Sequence, residues 1–267
     1  MRLFSAYNGR KKEGEILDSF ITWIGGKRLL RKQIIRMFPS DGIEKYVEVF
    51  GGAAWVLFGK DPHPKEVYND IDGELVNLFR MVKAHPEALE KEISLKLNSR
   101  EEFFFQLERV PKDLTELQRA ARLYYLIRAS YGADVRSFGC SAKTDLSVIK
   151  NLQEVHRRLK NVLIEHKSYE DLIKAQDGPK TLFYLDPPYH GTENKSKVSS
   201  SWKDEEHRRL KKVIEGIAGH WILSYNDDEF IRELYREYEI IPLERCNNNG
   251  NKDGKKGTFK ELVIRNY

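Results

Sequence analysis

Short runs of β-branched and aromatic residues alternate along the chain with stretches whose apolar positions recur every three or four residues. Tyr46–Phe50, Glu66–Asn69, Val162–His166, Thr181–Asp186 and Trp221–Tyr225 read as strands, and Gly73–Lys83, Asp145–Lys160, Asp204–Ile217 and Asp227–Glu237 read as helices. That alternation predicts an α/β sheet with covering helices. Two further strands, Glu239–Leu243 and Lys260–Ile264, flank a loop rich in glycine, asparagine and lysine, which predicts an antiparallel hairpin. From Pro86 to about Tyr131 the patterning is helical, including Arg119–Ser130, and no strand interrupts it. The break in alternation predicts an inserted helical subdomain over residues 84–144, within a catalytic domain formed by 17–83 and 145–267 and after an extension at 1–16.

A chain of 267 residues can bury the core of one α/β domain with such an insertion. Its net charge of +5 and pI near 8.9 are mildly basic, which permits a polyanionic partner without requiring one. Cys140 and Cys246 are too few for a disulfide framework and lack zinc-site spacing, so a reducing compartment and no metal are expected. The N-terminus carries Arg10, Lys11, Lys12, Glu13 and Glu15 where a signal peptide needs an apolar stretch. No apolar run approaches the ~20 residues of a membrane span. The expectation is a soluble, cytoplasmic protein with no membrane partner.

Candidate chemistry begins at Tyr46-Val47-Glu48-Val49-Phe50-Gly51-Gly52-Ala53-Ala54, a strand that runs into two glycines and then into small residues able to open a helix. Glycines there let a ligand approach the backbone, and the helix start offers free N–H groups. About 20 residues beyond the glycines stands Asp70, at the distance from which an acidic side chain hydrogen-bonds the ribose of an adenosine-containing ligand. One of Asp70 and Asp72 caps the helix that begins near Gly73. The absence of a third glycine counts against a dinucleotide. Upstream, Trp23-Ile24-Gly25-Gly26-Lys27-Arg28 fails as a phosphate loop, because Ile21 stands where the first glycine belongs and Arg28 follows the lysine. Trp23 and Lys27 either offer an aromatic face and an ammonium to a small carboxylate-bearing ligand or serve as core and helix start.

The second motif, Asp186-Pro187-Pro188-Tyr189, ends a strand at the carboxyl edge where open α/β sheets bind their ligands. Two prolines fix successive φ angles and remove two donors, leaving a rigid loop of acceptors. Such a loop suits an exocyclic amine, whose lone pair is delocalised into its ring. Accepting one N–H at the Asp186 carboxylate and one at the Pro187 carbonyl localises electron density on the nitrogen. Tyr189 supplies a stacking surface for a base taken out of a duplex. His156, His190 and His207 are read as structural or surface residues.

In this order, from Phe20 to Tyr267, the motifs resemble those of the α-group of DNA adenine N6-methyltransferases, the Dam-type enzymes. The resemblance implies a Rossmann-like S-adenosylmethionine-dependent methyltransferase sheet with the C-terminal hairpin, and a target-recognition role for the helical insertion. It implies S-adenosylmethionine as cofactor, contacted by Trp23, Lys27, Asp70 and Asp186 and lined by Phe50, Gly51 and Gly52, with Ser168 or Tyr169 beside its adenine. It also implies methylation of adenine N6 in double-stranded DNA and leaves room for a restriction endonuclease partner; the sequence leaves the oligomeric state open, with a monomer favoured. The glycine motif departs from the usual F-x-G-x-G, with Ala54 at the last position. Tyr124 to Gly132 resembles the helix leading into a recognition loop, whereas the residues after Gly132 match poorly.

DNA binding needs phosphate neutralisation and side chains that reach base edges. Arg128, Tyr131 and Arg136 in the insertion, with Lys143 and Phe138 nearby, form one candidate surface. Asn249, Lys252, Lys255 and Lys256 in the hairpin loop form another. Lys195, Lys197 and Ser199 to Ser201 follow the second motif as a polar segment placed to cover the base or cofactor. Readings in which the same loop serves RNA adenine or cytosine N4, or in which the fold binds DNA without catalysis, are disfavoured by the aspartate-led rather than serine-led loop, the motif order and the intact Trp23, Lys27, Asp70, Asp186 and Tyr189.

Overall fold

The computed structural model describes residues 16–23, 25–139, 148–192, 202–246 and 258–267. Among these, seven strands form one sheet: β1 (Lys45–Glu48), β2 (Lys65–Asn69), β3 (Val162–Glu165), β4 (Thr181–Leu185), β5 (His220–Asn226), β6 (Glu239–Cys246) and β7 (Thr258–Arg265). Their order is β3-β2-β1-β4-β5-β7-β6. The first five pair in parallel, and β7 runs antiparallel to both β5 and β6. The C-terminal hairpin therefore forms as expected, with its second strand inserted beside β5.

Side chains alternate between the two faces of the sheet, as the two-residue period of a strand demands. Tyr46, Tyr68, Leu182, Tyr184, Ile222 and Val263 pack into one core; Val47, Val67, Phe183, Leu185, Trp221, Leu223, Leu262 and Ile264 pack into the other. Both faces are covered, which explains why the parallel strands read as apolar runs rather than as alternating patterns. The strand order reverses direction between β1 and β4. Such a switch point opens a crevice at the carboxyl ends of the two strands, and both candidate motifs lie there.

The helices are α1 (Arg31–Arg36), α2 (Trp55–Gly59), α3 (Gly73–Ala84), α4 (Pro86–Ser94), α5 (Arg100–Glu108), α6 (Glu116–Ala129), α7 (Leu152–Leu159), α8 (Tyr169–Gln176), α9 (Asp204–Ile214) and α10 (Glu229–Leu234). Capping sets several starts. Asp72 accepts from Glu74 and Leu75 N–H at the head of α3, and Thr115 and Gln118 form a reciprocal capping box at α6, three residues earlier than its apolar pattern. The helix expected from Asp145 begins instead at Leu152, after Asn151 adopts a left-handed φ of 56°; residues 145–147 lie outside the described set. α10 is shorter than expected because Asp228 caps it. In the stretch expected as an insertion, Ala120, Tyr124 and Ile127 of α6 share a core with Leu75, Val76 and Phe79 of α3. Among the described residues, no helix is long and apolar enough to cross a membrane.

At the amino edge of the sheet a buried glutamate ties β2 to two helices. Glu66 accepts from Lys60 and from Arg158, whose Nη2 lies 2.8 Å from Glu66 Oε1 and also donates to Leu57 O at 2.9 Å. Burial alone would raise the Glu66 carboxyl, but Arg158 and Lys60 hold it below the usual carboxylate range. This group stabilises the fold above the carboxylate's unfolded pKa, and the contribution disappears as pH falls through the depressed folded value. Glu66→Ala leaves two cations unpaired and should cost about 3–5 kcal/mol in urea denaturation at neutral pH; a loss near zero would contradict the assignment.

Candidate active site

At the end of β1 the chain makes the turn that both glycines require. Gly51 N donates to Asn69 O at 2.7 Å, and a Cβ on Gly51 would come within 2.2 Å of the Tyr68 ring. Gly52 has φ +48°, and a Cβ there would lie 3.2 Å from Cδ1 of half-buried Trp23. Ala54, where the family pattern favours glycine, also takes a left-handed φ of 55°. The Asn69 amide clips the strand ends, donating to Val49 O at 2.9 Å and accepting from Lys167 N at 2.9 Å.

The two aspartates divide the work. Asp72 caps α3, whereas Asp70 stays at the turn, accepting from Gly52 N and from Asp72 N, each at 2.8 Å. Burial pushes the Asp70 carboxyl up to about 6, against the pull of those N–H groups. The result is a carboxylate fixed at the turn by two backbone donors.

Across the switch point, Lys27 and Asp186 meet although 159 residues separate them. Lys27 Nζ donates to both Asp186 carboxylate oxygens at 2.7 Å and to Gly25 O at 3.1 Å. Its side chain is 4% exposed, and the ammonium lies 4.7 Å from the Tyr189 ring centroid. Tyr189 in turn donates its hydroxyl to Glu261 at 2.8 Å, and Glu261 stands 3.9 Å from the same ammonium. Pro187 is buried and Pro188 half-buried. Burial first, then the negative charges of Asp186 and Glu261, drive the Tyr189 phenol far above its ordinary value, so it remains a donor.

The face of the sheet below this group is polar for a core. Tyr46 donates to Glu48 at 2.7 Å, and the Tyr184 and Ser224 hydroxyls are 3.1 Å apart. Burial pushes the Glu48 carboxyl up to about 8, despite the Tyr46 hydrogen bond and the Lys60 charge. Burial thus favours the protonated form of Glu48 beneath Asp186.

Phe50 joins an aromatic group with Tyr169, at 5.8 Å, and Trp202, at 5.5 Å. Tyr169 is 8% exposed and donates its hydroxyl to Glu206 at 2.8 Å. Ser168 caps α8, accepting from Asp171 N at 3.2 Å. Glu261 and Trp202 were missed by sequence reasoning. The signal for Glu261 was a lone acid adjoining the apolar run Leu262-Val263-Ile264.

The recognition candidates split. Tyr131 is 77% exposed at the base of a loop closed by an isolated Ser130–Phe138 bridge, its N–H donating to Ser137 O at 2.8 Å, and Arg136 is exposed in the same loop. Asp134 braces that loop by accepting from Arg136 N at 2.9 Å and Ser137 N at 3.0 Å. Arg128 is half-buried and lines a cleft of about 230 Å³ with Trp23, Trp55, Arg28 and Lys150. Lys143, Lys195, Lys197, Ser199 to Ser201, Asn249, Lys252, Lys255 and Lys256 lie outside the described residues.

Comparison with known proteins shows the family. The model of the D12 class N6 adenine-specific DNA methyltransferase family matches residues 23–249. The chain is 28% identical to the type II methyltransferase M1.LlaDCHI of Lactococcus lactis subsp. cremoris, covering 94% of this chain and 96% of that protein. It is 26% identical to the type II methyltransferase M.CviBI of Paramecium bursaria Chlorella virus NC1A, covering 94% of this chain and 100% of the relative. With the Retron Ec67 DNA adenine methylase of Escherichia coli it shares 22% identity, over 92% and 90% of the two chains.

The turn after β1 makes opposite predictions at its two ends. Gly51→Ala drives a methyl into the Tyr68 ring and should destabilise by about 1–3 kcal/mol. Ala54→Gly relieves a left-handed alanine and should be neutral or stabilising by up to about 1 kcal/mol. Thermal unfolding of both variants checks the pair, and a stabilised Gly51→Ala would refute the packing described.

Proposed function

The chain belongs to the D12 class N6 adenine-specific DNA methyltransferase family, and from that membership we propose that Asp186, Pro187, Pro188 and Tyr189 form the loop that presents adenine N6 for methylation. The observation that carries this assignment is the Lys27–Asp186 pair, which fixes the first residue of the loop across the switch point from the glycine turn. A carboxylate has about four lone-pair sites. Two contacts from Lys27 therefore leave Asp186 able to accept one N–H of the amine, while the Pro187 carbonyl accepts the other. The lone pair is thereby drawn out of conjugation and aimed, which is preorganisation rather than removal of a proton. Tyr189, its hydroxyl tied to Glu261, offers its ring to the extruded base.

The proposed cofactor is S-adenosylmethionine, which when bound supplies a methyl group on a sulfonium sulfur. Asp70 would accept its ribose hydroxyls at the glycine turn, whose Gly51 packs on the Tyr68 ring and whose Gly52 faces Trp23. Phe50, Trp23 and Tyr169 would line it, with Ser168 committed to its helix cap. Lys27 has three donors and three acceptors in reach, so its part in this reading is to hold Asp186. Reaching a cofactor carboxylate would cost its contact with Gly25 O.

Target recognition is assigned to the insertion at 84–144 through Arg128, Tyr131 and Arg136. Phosphate contacts are assigned to Asn249, Lys252, Lys255 and Lys256. The two relatives named as type II methyltransferases support a restriction endonuclease as the partner in the same system.

Incubation with labelled S-adenosylmethionine and unmethylated DNA, followed by nucleoside analysis, should place label in N6-methyladenine. Asp186→Ala should abolish transfer, and Tyr189→Ala should lower turnover while largely sparing cofactor binding; wild-type rates in Asp186→Ala would sink the assignment of the loop. Removing the charges of Lys252, Lys255 and Lys256 should weaken DNA binding and reduce its salt slope by about 0.9 for each phosphate that is no longer neutralised. An unchanged slope would take that loop out of the interface.

A further inference from the structure

Directly after Tyr189 the chain forms a clamp that the chemistry above leaves unused. The His190 ring hydrogen-bonds Asp204 Oδ1 through Nε2 at 3.2 Å and sets Nδ1 2.9 Å from Asp228 Oδ1, an ion-pair contact without hydrogen-bond alignment. Asp204 is the first residue of α9, and Asp228 caps α10, accepting from Ile231 N at 3.3 Å. The ring stacks on Phe230 of α10 at 4.5 Å and meets His207 of α9 edge-on at 5.5 Å. From β5, Asn226 donates to the His190 carbonyl at 3.1 Å.

Other titratable or charged groups around the clamp are engaged elsewhere. His207 Nδ1 lies 2.8 Å from the Tyr225 hydroxyl, Asp227 accepts from Arg232 at 2.6 Å, and the Arg208 guanidinium lies 4.9 Å from the Phe230 centroid. The facing partners of His190 are thus two carboxylates, one from each helix start.

A neutral imidazole has one N–H, so between two carboxylates it would turn a lone pair toward one of them. Only the imidazolium, with an N–H on each nitrogen and a full positive charge, is attracted to both carboxylates. Burial works against that charge, but the Asp228 and Asp204 carboxylates raise the ring above the ordinary histidine value. Thr192 completes the corner, donating to Tyr189 O from its backbone N–H at 3.2 Å and from its hydroxyl at 2.6 Å. The loop thus has an anchor at its first residue, Lys27 on Asp186, and another just past its last.

We propose that His190 is a positioning residue for methyl transfer: its imidazolium, bridging Asp204 and Asp228, pins the end of the Asp186–Tyr189 loop to the starts of α9 and α10 and so sets the Tyr189 ring against the target base. This rests on the reading of that loop as the presenter of the amine. The sign of its pH dependence follows. A histidine whose folded pKa is raised contributes fully at lower pH, and the contribution is lost as pH rises through the folded value. The clamp therefore produces an alkaline limb in turnover.

The test measures kcat and KM for DNA methylation between roughly pH 6 and 9, the range in which a histidine changes charge, in the full-length wild type, His190→Gln and Asp228→Asn. Asparagine keeps the α10 cap and removes one of the two charges. His190→Gln should lose on the order of tenfold in kcat at neutral pH through misplacement of the base, keep its KM for S-adenosylmethionine, and have no alkaline limb. Asp228→Asn should shift the limb to lower pH. Imidazole NMR titration of the wild type should place His190 above the ordinary histidine value, a readout independent of whether His190→Gln folds. Wild-type turnover or a persisting limb in His190→Gln, or a His190 titration at or below the ordinary value, would overturn the proposal. Asp186→Ala assayed in parallel separates the two claims: if it still transfers methyl groups the loop reading fails, and if it is dead while His190→Gln is unaltered the clamp alone fails.

Discussion

The architecture at the carboxyl edge of the sheet depends on one buried ion pair. Lys27 precedes the first helix, Asp186 ends the fourth strand, and their contact at 2.7 Å closes the crevice where the strand order reverses. Taking an ammonium out of water costs several kcal/mol, and the cost is recovered only if its donors are satisfied. They are: two go to Asp186 and one to Gly25 O, with Glu261 close behind at 3.9 Å. The geometry of the Asp186 loop is thus held from outside its own strand, and a substitution at Lys27 would leave a carboxylate in a low-dielectric edge without its cation.

That arrangement places a condition on the far end of the chain. Glu261 reaches Tyr189 only because β7 lies between β5 and β6, with Asn226 opposite Glu261 in the register. Had the hairpin docked with β6 against β5, no carboxylate from β7 would face the loop. The same face carries Glu48, which burial pushes to about 8. That shift favours its neutral form in a region where Asp186 and Glu261 both lie near the positive charge of Lys27. The sheet tolerates a polar interior here because its hydroxyls and carboxyls satisfy one another, as Tyr46 does Glu48 and Tyr184 does Ser224.

What could be read from the chain, and what could not, follows from the range of the interactions. The strand ends, the glycine turn and the Asp186–Tyr189 loop are local patterns, and they fall where the residues indicate. The division between Asp70 and Asp72 is also local, but only capping geometry resolves it. Glu261 was hidden because its burial is set by strand order, which couples residues far apart in sequence. By alternation alone it would pass for a solvent-facing residue at the mouth of a hairpin. Ser168 illustrates the opposite case: Ser168 and Asp171 have the spacing of a helix cap, and that local role occupies the hydroxyl. The start of α7 was misplaced because the apolar pattern continues upstream of Asn151, whose left-handed backbone interrupts the helix.

The described residues with non-glycine left-handed backbones are Ala54, Ala133, Val135 and Asn151. One lies in the turn assigned to the cofactor and two in the loop assigned to DNA. Such conformations each cost on the order of 1–3 kcal/mol and persist where surrounding contacts over-determine them. Around Ala133 and Val135 those contacts are identifiable, since Ser130 Oγ accepts from Val135 N at 3.1 Å and Asp134 accepts from Arg136 and Ser137. The loop is braced by these hydrogen bonds and by Ala133, Val135 and Phe138 packed on the core, while Tyr131 stays in solvent. The amine-presenting loop takes its anchors instead from the N-terminal loop, β7, α9 and α10.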